Sequence, residues 1–290
     1  MRQLSKAFLN SLESGFLSGL TRRVIADKDL DLEIRENYIN IYFKGNSLLR
    51  LSEITPERYR PKIDPKFLKG LILDDLTDEL TVQNFLSLIP TIKENIVLLG
   101  KSSLEIEYEQ MIIRANNYEP RNNSEYFIVD RQYAAGHAGR FDLTGFYWDR
   151  IGRRKGQVVP LCLIEVKFAL NQDIQKLHEQ LERYYLAVED RATIIAEEAE
   201  GIFKQKLELG LFIQPQDRLN AMKTLVFSRD IHKFQFIILL VDYNPYSRLF
   251  DLDTLSRLTF AHQVKIFRGG FALWGELFQT LPESKTIPKT

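Results

Sequence analysis

The chain has 290 residues, 44% hydrophobic and 27% charged, enough to bury a full core as one large or two unequal units. Its 39 basic and 39 acidic residues cancel, so no global field draws it onto nucleic acid, although a local basic cleft beside an acidic site fits that balance. The single cysteine excludes an intrachain disulfide framework and thiolate metal sites, and no stretch approaches the roughly 20 apolar residues of a membrane span.

The start, Met1-Arg2-Gln3-Leu4-Ser5-Lys6, lacks the long apolar core of a signal peptide, so a cytoplasmic protein without membrane contact is expected. Residues 1–98 read as a separate α+β region. Helical spacing over 4–24 precedes a hairpin at 38–51 that turns at Lys44-Gly45-Asn46. A loop with Pro56, Pro61 and Pro65 follows, then a helix over 74–93, bent near Pro90. Tyr38, Tyr42, Phe43, Lys44 and Arg50 on that hairpin are either an aromatic and basic nucleic-acid surface or, as is more common, half-buried packing.

Residues 99–290 form the second unit. A helix over 104–115 places Leu104, Tyr108, Met111, Ile112 and Ala115 on one stripe, with Glu105 and Glu109 at the border of the apolar arc, where an acid needs a partner. Glu109 is the preferred helix acid and Glu105 the second choice. An alternating strand over 125–133 leads through the small-residue loop containing Gly136, His137 and Gly139 to a strand over 141–148. The stretch Gly152-Arg153-Arg154-Lys155-Gly156 has hairpin-turn composition, and a hydrophobic strand follows over 158–167. Ile174, Leu177, Leu181, Tyr184 and Val188 then mark a helix over 171–189. A charged helix over 197–209, a buried strand over 234–241, a short helix over 255–262 and a strand over 264–268 complete the pattern, with a frayed tail after Leu281.

A turn centred between Arg153 and Arg154 sets Asp142 directly opposite Glu165, with Cβ atoms about 5 Å apart, so that one divalent ion can bridge both carboxylates. Strand alternation brings Lys167 to the face of Glu165 and turns Val166 and Cys162 the other way, into the core. Gln180 and Tyr184, four apart, lie on the sheet-facing side of their helix, where Gln180 can hold a water or a phosphate. Arg140 shares a face with Asp142 and is suited to a bidentate phosphate contact, and His137 is a weaker candidate. A straight hairpin carries the basic tip, Arg150 to Lys155, about 35 Å from Asp142.

These residues resemble the PD-(D/E)XK nuclease superfamily, the restriction-endonuclease-like fold: Asp142, then Glu165-x-Lys167 on a hydrophobic strand, then a Gln180-x-x-x-Tyr184 helix like that of the RecB and phage lambda exonuclease branch. The likeness covers about residues 100–190. It implies an α/β fold with an αβββαβ core, in which a mixed central sheet is flanked by helices. It further implies that Asp142, Glu165, the Val166 carbonyl and Glu109 hold Mg2+, with Mn2+ as substitute. Lys167 then orients or activates the attacking water, while Gln180, Arg140 and Tyr184 steady the substrate.

The expected activity is hydrolysis of nucleic acid phosphodiesters, DNA ahead of RNA, by a chain that can act as a homodimer. One alternative is a catalytically silent member of the same fold that binds nucleic acid or a protein. The other is an unrelated α/β protein in which Glu165 and Lys167 are mere neighbours on a sheet.

Overall fold

Apolar alternation near the N-terminus builds a four-stranded antiparallel sheet, larger than the expected hairpin. The computed structural model describes residues 2–100, 104–134, 140–151, 153 and 158–271. His137 with its flanking glycines, Gly152, residues 154–156 of the turn and the tail beyond Leu281 fall outside them.

Two helices, α1 (Lys6–Glu13) and α2 (Ser18–Ala26), replace the single one expected over 4–24. The chain turns between them at Gly15, where a Cβ would sit 2.8 Å from Ser11 Cα. The Thr21 hydroxyl donates to the Leu12 carbonyl at 2.8 Å and ties the pair together.

Strands β1 (Leu30–Ile34), β2 (Tyr38–Phe43), β3 (Asn46–Thr55) and β4 (Arg58–Lys62) pair in sequence order. The expected hairpin is β2–β3. Lys44 and Gly45, with φ of 45° and 72°, give the two left-handed residues that a tight type I′ turn requires. Strand β4 holds Pro61 where a loop was expected; its place at the end of the sheet order makes the missing N–H tolerable. After the short α3 (Pro65–Leu68), helix α4 (Glu79–Leu99) starts at a capping box between Asp78 and Thr81 and keeps Pro90 inside, so it lies later than the expected 74–93.

The second half runs α5 (Leu104–Ile113), β5 (Tyr126–Ala134), β6 (Arg140–Tyr147), β7 (Val158–Val159), β8 (Leu161–Phe168), α6 (Leu177–Glu189), α7 (Ala192–Glu208), α8 (Gln216–Met222), β9 (Val226–Phe227), β10 (Gln235–Val241), α9 (Leu252–Ser256) and β11 (Val264–Gly269). Its mixed five-stranded sheet has the order β11-β10-β8-β6-β5. Strands β8, β10 and β11 are mutually parallel, whereas β6 is antiparallel to both β8 and β5.

One face, through Leu161, Leu163, Phe146 and Phe236, joins a buried cluster that continues into Leu32, Ile41 and Leu49 of the first sheet. On the other face Cys162, Ile164, Val166 and Ile237 pack beneath Ile113 and Tyr118. The alternation expected for Cys162, Val166 and Glu165 therefore holds. Among the described residues no helix is long and apolar enough to cross a membrane.

The straight hairpin is not formed. β6 and β8 pair from Leu143↔Ile164 to Phe146↔Leu161, and Pro160 then separates β8 from β7, which pairs instead with β9. Arg153 folds back so that its guanidinium lies 5.0 Å from the Trp148 ring and donates to Asn123 Oδ1 at 3.1 Å. The aromatic ring, Asn123 and the Ser124 carbonyl, which also accepts from it, hold it against the protein.

A buried polar seam joins the two sheets. Glu33 Oε2 lies 2.9 Å from Lys206 Nζ on α7 and 3.5 Å from Arg35, which also pairs with Asp130 on β5, while Arg2 reaches Asp130 Oδ2 at 2.6 Å. Burial, with Asp31 and Asp130 nearby, lifts Glu33 well above the usual carboxylate range against the pull of Lys206 and Arg35. Burial opposes ionisation of Asp130 too, but Arg35 and Arg2 hold it below its ordinary value. Removing one partner from such a pair leaves an uncompensated buried charge, so Arg35→Met should lower stability by about 3–5 kcal/mol in urea denaturation. A loss within error of zero would show that the seam carries no coupling between the sheets.

Candidate functional site

The register of β6 on β8 places Asp142 opposite Glu165, as the turn arithmetic anticipates. The ladder recorded between the strands ends one residue earlier, at Leu143↔Ile164. There the Asp142 carboxylate takes the place of a backbone acceptor: its Oδ2 accepts the Val166 N–H at 2.8 Å. A side chain that caps a ladder this way is held at the point where the two strands part.

Glu165 and Lys167 share a face and are both buried, at 3% and 6% exposure. Lys167 Nζ donates to Glu165 Oε1 at 2.5 Å. Gln180 Nε2 donates to the same oxygen at 2.6 Å and lies 2.7 Å from the Tyr184 hydroxyl, which donates to the Arg140 carbonyl at 3.0 Å. Tyr184 is itself buried, with its ring 4.3 Å from that of Phe141. Helix α6 thus grips Glu165 from behind through Gln180. Burial and the Glu165 charge push the Tyr184 hydroxyl up to about 12, which keeps it a neutral donor.

Glu165 Oε2, in contrast, is buried and makes no hydrogen bond among the described residues. Such an oxygen is costly unless something cationic or a donor meets it. Asp142 is under the same stress: burial first, then Glu165 and Glu109, raise its carboxyl to about 8, against the pull of the Val166 N–H and Lys167. Burial alone would lower Lys167, but Glu165, Asp142 and Glu105 outweigh it and hold the ammonium protonated.

The two helix acids differ. The expected stripe on α5 is rotated: Leu104 and Met111 are exposed at 53% and 44%, while Glu109 and Ile113 are buried at 1%. The helix passes into a π-turn at Arg114–Tyr118, so Ala115 leaves the helical face as well. Glu109 occupies a core position because Arg131 NH2 reaches its Oε2 at 3.0 Å and Gln132 Nε2 donates to both of its oxygens, at 2.8 and 3.0 Å. Burial still raises Glu109 despite these partners. Half-buried Glu105 is also raised by burial, and the charges acting on it are those of Lys167, Glu165 and Asp173. The charge of Glu105 is thus felt by the Glu165–Lys167 pair, while Glu109, whose charge acts on Asp142, is held by Arg131 and Gln132.

Arg140 stands exposed at the start of β6, beside the site. Arg131 and Gln132 were not singled out from the sequence. Their signal is the adjacent pair Asp130-Arg131 inside an apolar strand, where the backbone of Gln132 is left-handed (φ 59°) and turns Arg131 toward α5 and Tyr133 toward α7. A separate apolar groove of about 320 Å³, lined by Tyr108, Ile112, Ile164, Ile237, Leu239 and Phe267 among others, opens on the sheet face opposite Glu165 and takes no part in this cluster.

Among the described residues no three or more histidine, cysteine, aspartate or glutamate side chains come together in a group that could hold a metal ion. The donors present nonetheless fit a hard divalent ion: two adjoining carboxylates, one with an orphaned buried oxygen and the other held partly protonated by its neighbours. Comparison of the chain with family models, curated proteins and solved structures returns no match, so the site is read from its own geometry.

The raised Asp142 carboxyl has a signed consequence for stability. Between its unfolded value near 4 and about 8 the folded protein holds a proton that the unfolded chain has released, so stability falls as pH rises through that window. Asp142→Asn removes this penalty. In chelator the variant should melt higher than the native chain at pH 8, by about 2–4 °C per kcal/mol relieved, with the difference vanishing near pH 4. Equal melting temperatures at pH 8 would show that the Asp142 charge is not under strain.

Proposed function

We propose that the protein is a divalent-metal-dependent nuclease of the restriction-endonuclease-like class, acting on nucleic acid and on DNA first. The observation that carries this reading is Asp142 in register with Glu165, whose other partners are Lys167 and Gln180. The order α5, β5, β6, β8, α6, β10 supports it as well, because it follows the αβββαβ sequence of that class.

In this reading Asp142, Glu165 and the Val166 carbonyl hold Mg2+, or Mn2+ in its place, with a helix acid completing the set. Either helix acid can complete it: Glu109 acts on Asp142 but is already held by Arg131 and Gln132, and Glu105 acts on Lys167 and has no such partner to give up among the described residues. When bound, the ion supplies Lewis acidity toward a phosphoryl oxygen and lowers the pKa of a water.

The protein's own groups do the rest. Lys167 is held protonated, so it acts as a donor that orients the attacking water rather than as a base that takes its proton. Gln180 fixes one Glu165 oxygen and leaves Oε2 to the site, and Tyr184 fixes Gln180. In this reading both act as positioning residues, supported by the contact of Gln180 to Glu165 and of Tyr184 to the Arg140 carbonyl, rather than through substrate contacts of their own. Arg140 remains exposed for a phosphate, to which its guanidinium is suited as a two-pronged donor.

The test is cleavage of labelled single-stranded and duplex DNA and RNA in Mg2+, Mn2+ or chelator. Native protein should cut only with metal, and Lys167→Ala and Glu165→Ala should each lose at least about a hundredfold in rate. Nucleic-acid binding without cutting on any substrate would contradict the enzyme and assign the chain to the silent scaffold of the same fold.

A further inference from the structure

The outer face of the N-terminal sheet carries a cation cluster that the site described above does not use. Register places Tyr38 opposite Ser52, and Arg50 opposite both Asn40 and Lys62, while Ser52 faces Arg60. Directly opposed residues share a face, so Tyr38, Asn40, Arg50, Ser52, Arg60 and Lys62 line one surface. The intervening Ile39, Leu49, Leu51 and Tyr59 are buried on the other.

Arg50, Arg60 and Lys62 are all exposed. Like charges set directly across a sheet destabilise it, and compensation is slight. Asp75 serves Arg58 at 2.5 Å and Arg60 at 3.4 Å, but among the described residues neither Arg50 nor Lys62 has an acidic partner. The Arg50 guanidinium instead lies 3.9 Å from the Tyr38 ring centroid, which leaves an aromatic face and a cation side by side. In a chain of zero net charge, such a local concentration is not a by-product of overall basicity.

The same face leads to the catalytic cluster. Tyr42 lies on it, opposite Asp31 of β1, and the Arg131 guanidinium rests 4.5 Å from the Tyr42 ring while holding Glu109. At the β2–β3 turn Gly45 donates to Gln110 Oε1 at 3.1 Å, and a Cβ there would meet Ile106 at 2.4 Å, so the sheet abuts the helix that carries Glu105 and Glu109. By strand spacing and rise, Arg50 lies about 8 Å and Lys62 about 12 Å from Tyr42 along the sheet. From Tyr42 the path continues through Arg131 to Glu109, so a nucleic-acid strand engaged at Glu165 would reach the platform only beyond that further span.

We propose that Arg50, Arg60 and Lys62, with Tyr38, form a nucleic-acid platform that holds the phosphate backbone flanking the cleavage point. The choice of nucleic acid as partner rests on the nuclease reading, whereas the platform itself rests on the sheet register and on Arg50 and Lys62, which have no acidic partner among the described residues. Each of the three cations neutralises one phosphate, so binding here carries a salt dependence separate from the metal chemistry.

The experiment measures binding of fluorescein-labelled duplex and single-stranded DNA to the full chain in chelator, by anisotropy over a salt series. It compares native protein, the triple variant Arg50→Gln/Arg60→Gln/Lys62→Gln, and a control that removes three exposed cations elsewhere, Lys223→Gln/Lys233→Gln/Arg257→Gln. The platform predicts that the slope of log affinity against log salt falls by about 2.7 in the triple variant for duplex, or about 2.1 for single strands, and is unchanged in the control. The melting temperature, measured in parallel, should stay within a few degrees of native.

A slope equal to native, or lost equally in the control, overturns the platform even if the native chain cleaves. A slope lost only in the triple variant, in a chain that never cleaves, upholds the platform and removes the nuclease. Binding to anionic vesicles but to neither DNA form overturns it in favour of a lipid surface.

Discussion

Negative charge forced together in a dry place is the constraint on which this architecture turns. Asp142 and Glu165 occupy opposed positions on neighbouring strands, Glu105 and Glu109 approach from α5, and the cations set against them are Lys167 and Arg131. An arrangement of this kind is unfavourable by itself, because burial and mutual repulsion both oppose ionisation. Asp142, lifted to about 8, shows the result. The fold holds these carboxylates in a state that a nearby positive charge would relieve, and on the proposed reading that charge is a divalent cation.

The surroundings make that state possible. Glu165 is gripped by a lysine two residues along its own strand and by a glutamine on α6, and that glutamine is in turn fixed by Tyr184. Glu109 is gripped by Arg131, and Arg131 is covered by Tyr42 from the other sheet. The N-terminal hundred residues are therefore part of the support of the site. Their sheet shares the buried apolar cluster, contributes the Glu33–Arg35 seam and seats its β2–β3 turn on α5.

Much of this was legible in local pattern. The period of two along 161–167 separates Cys162 and Val166 from Glu165 and Lys167, and equal distances from a basic turn are enough to set Asp142 opposite Glu165. The spacing of Leu177, Leu181, Tyr184 and Val188 likewise fixes the buried side of α6, although Ile174, read as part of the same helix, falls in the 3-10 turn before it. What was hidden depended on partners distant in sequence. The α5 stripe was misjudged because Glu109, which the pattern sets only at the border of the apolar arc, takes a core position once Arg131 is brought to it. Strands β1 and β4 escaped notice because one is acidic, buried on both faces by the seam, and the other carries a proline. The straight hairpin failed at Pro160, where the alternating pattern continues in sequence although β7 has left for β9.

The central claim is that the strained carboxylates are the ligands of a divalent ion. The most direct measurement is Mn2+ binding by electron paramagnetic resonance to native protein at pH 7.5, alongside Glu165→Gln and a Lys223→Gln surface control. The account predicts saturable binding by the native chain and the control, and loss of that binding in Glu165→Gln with the fold retained. Binding that survives Glu165→Gln unchanged, or no binding by the native chain at millimolar Mn2+, would contradict it.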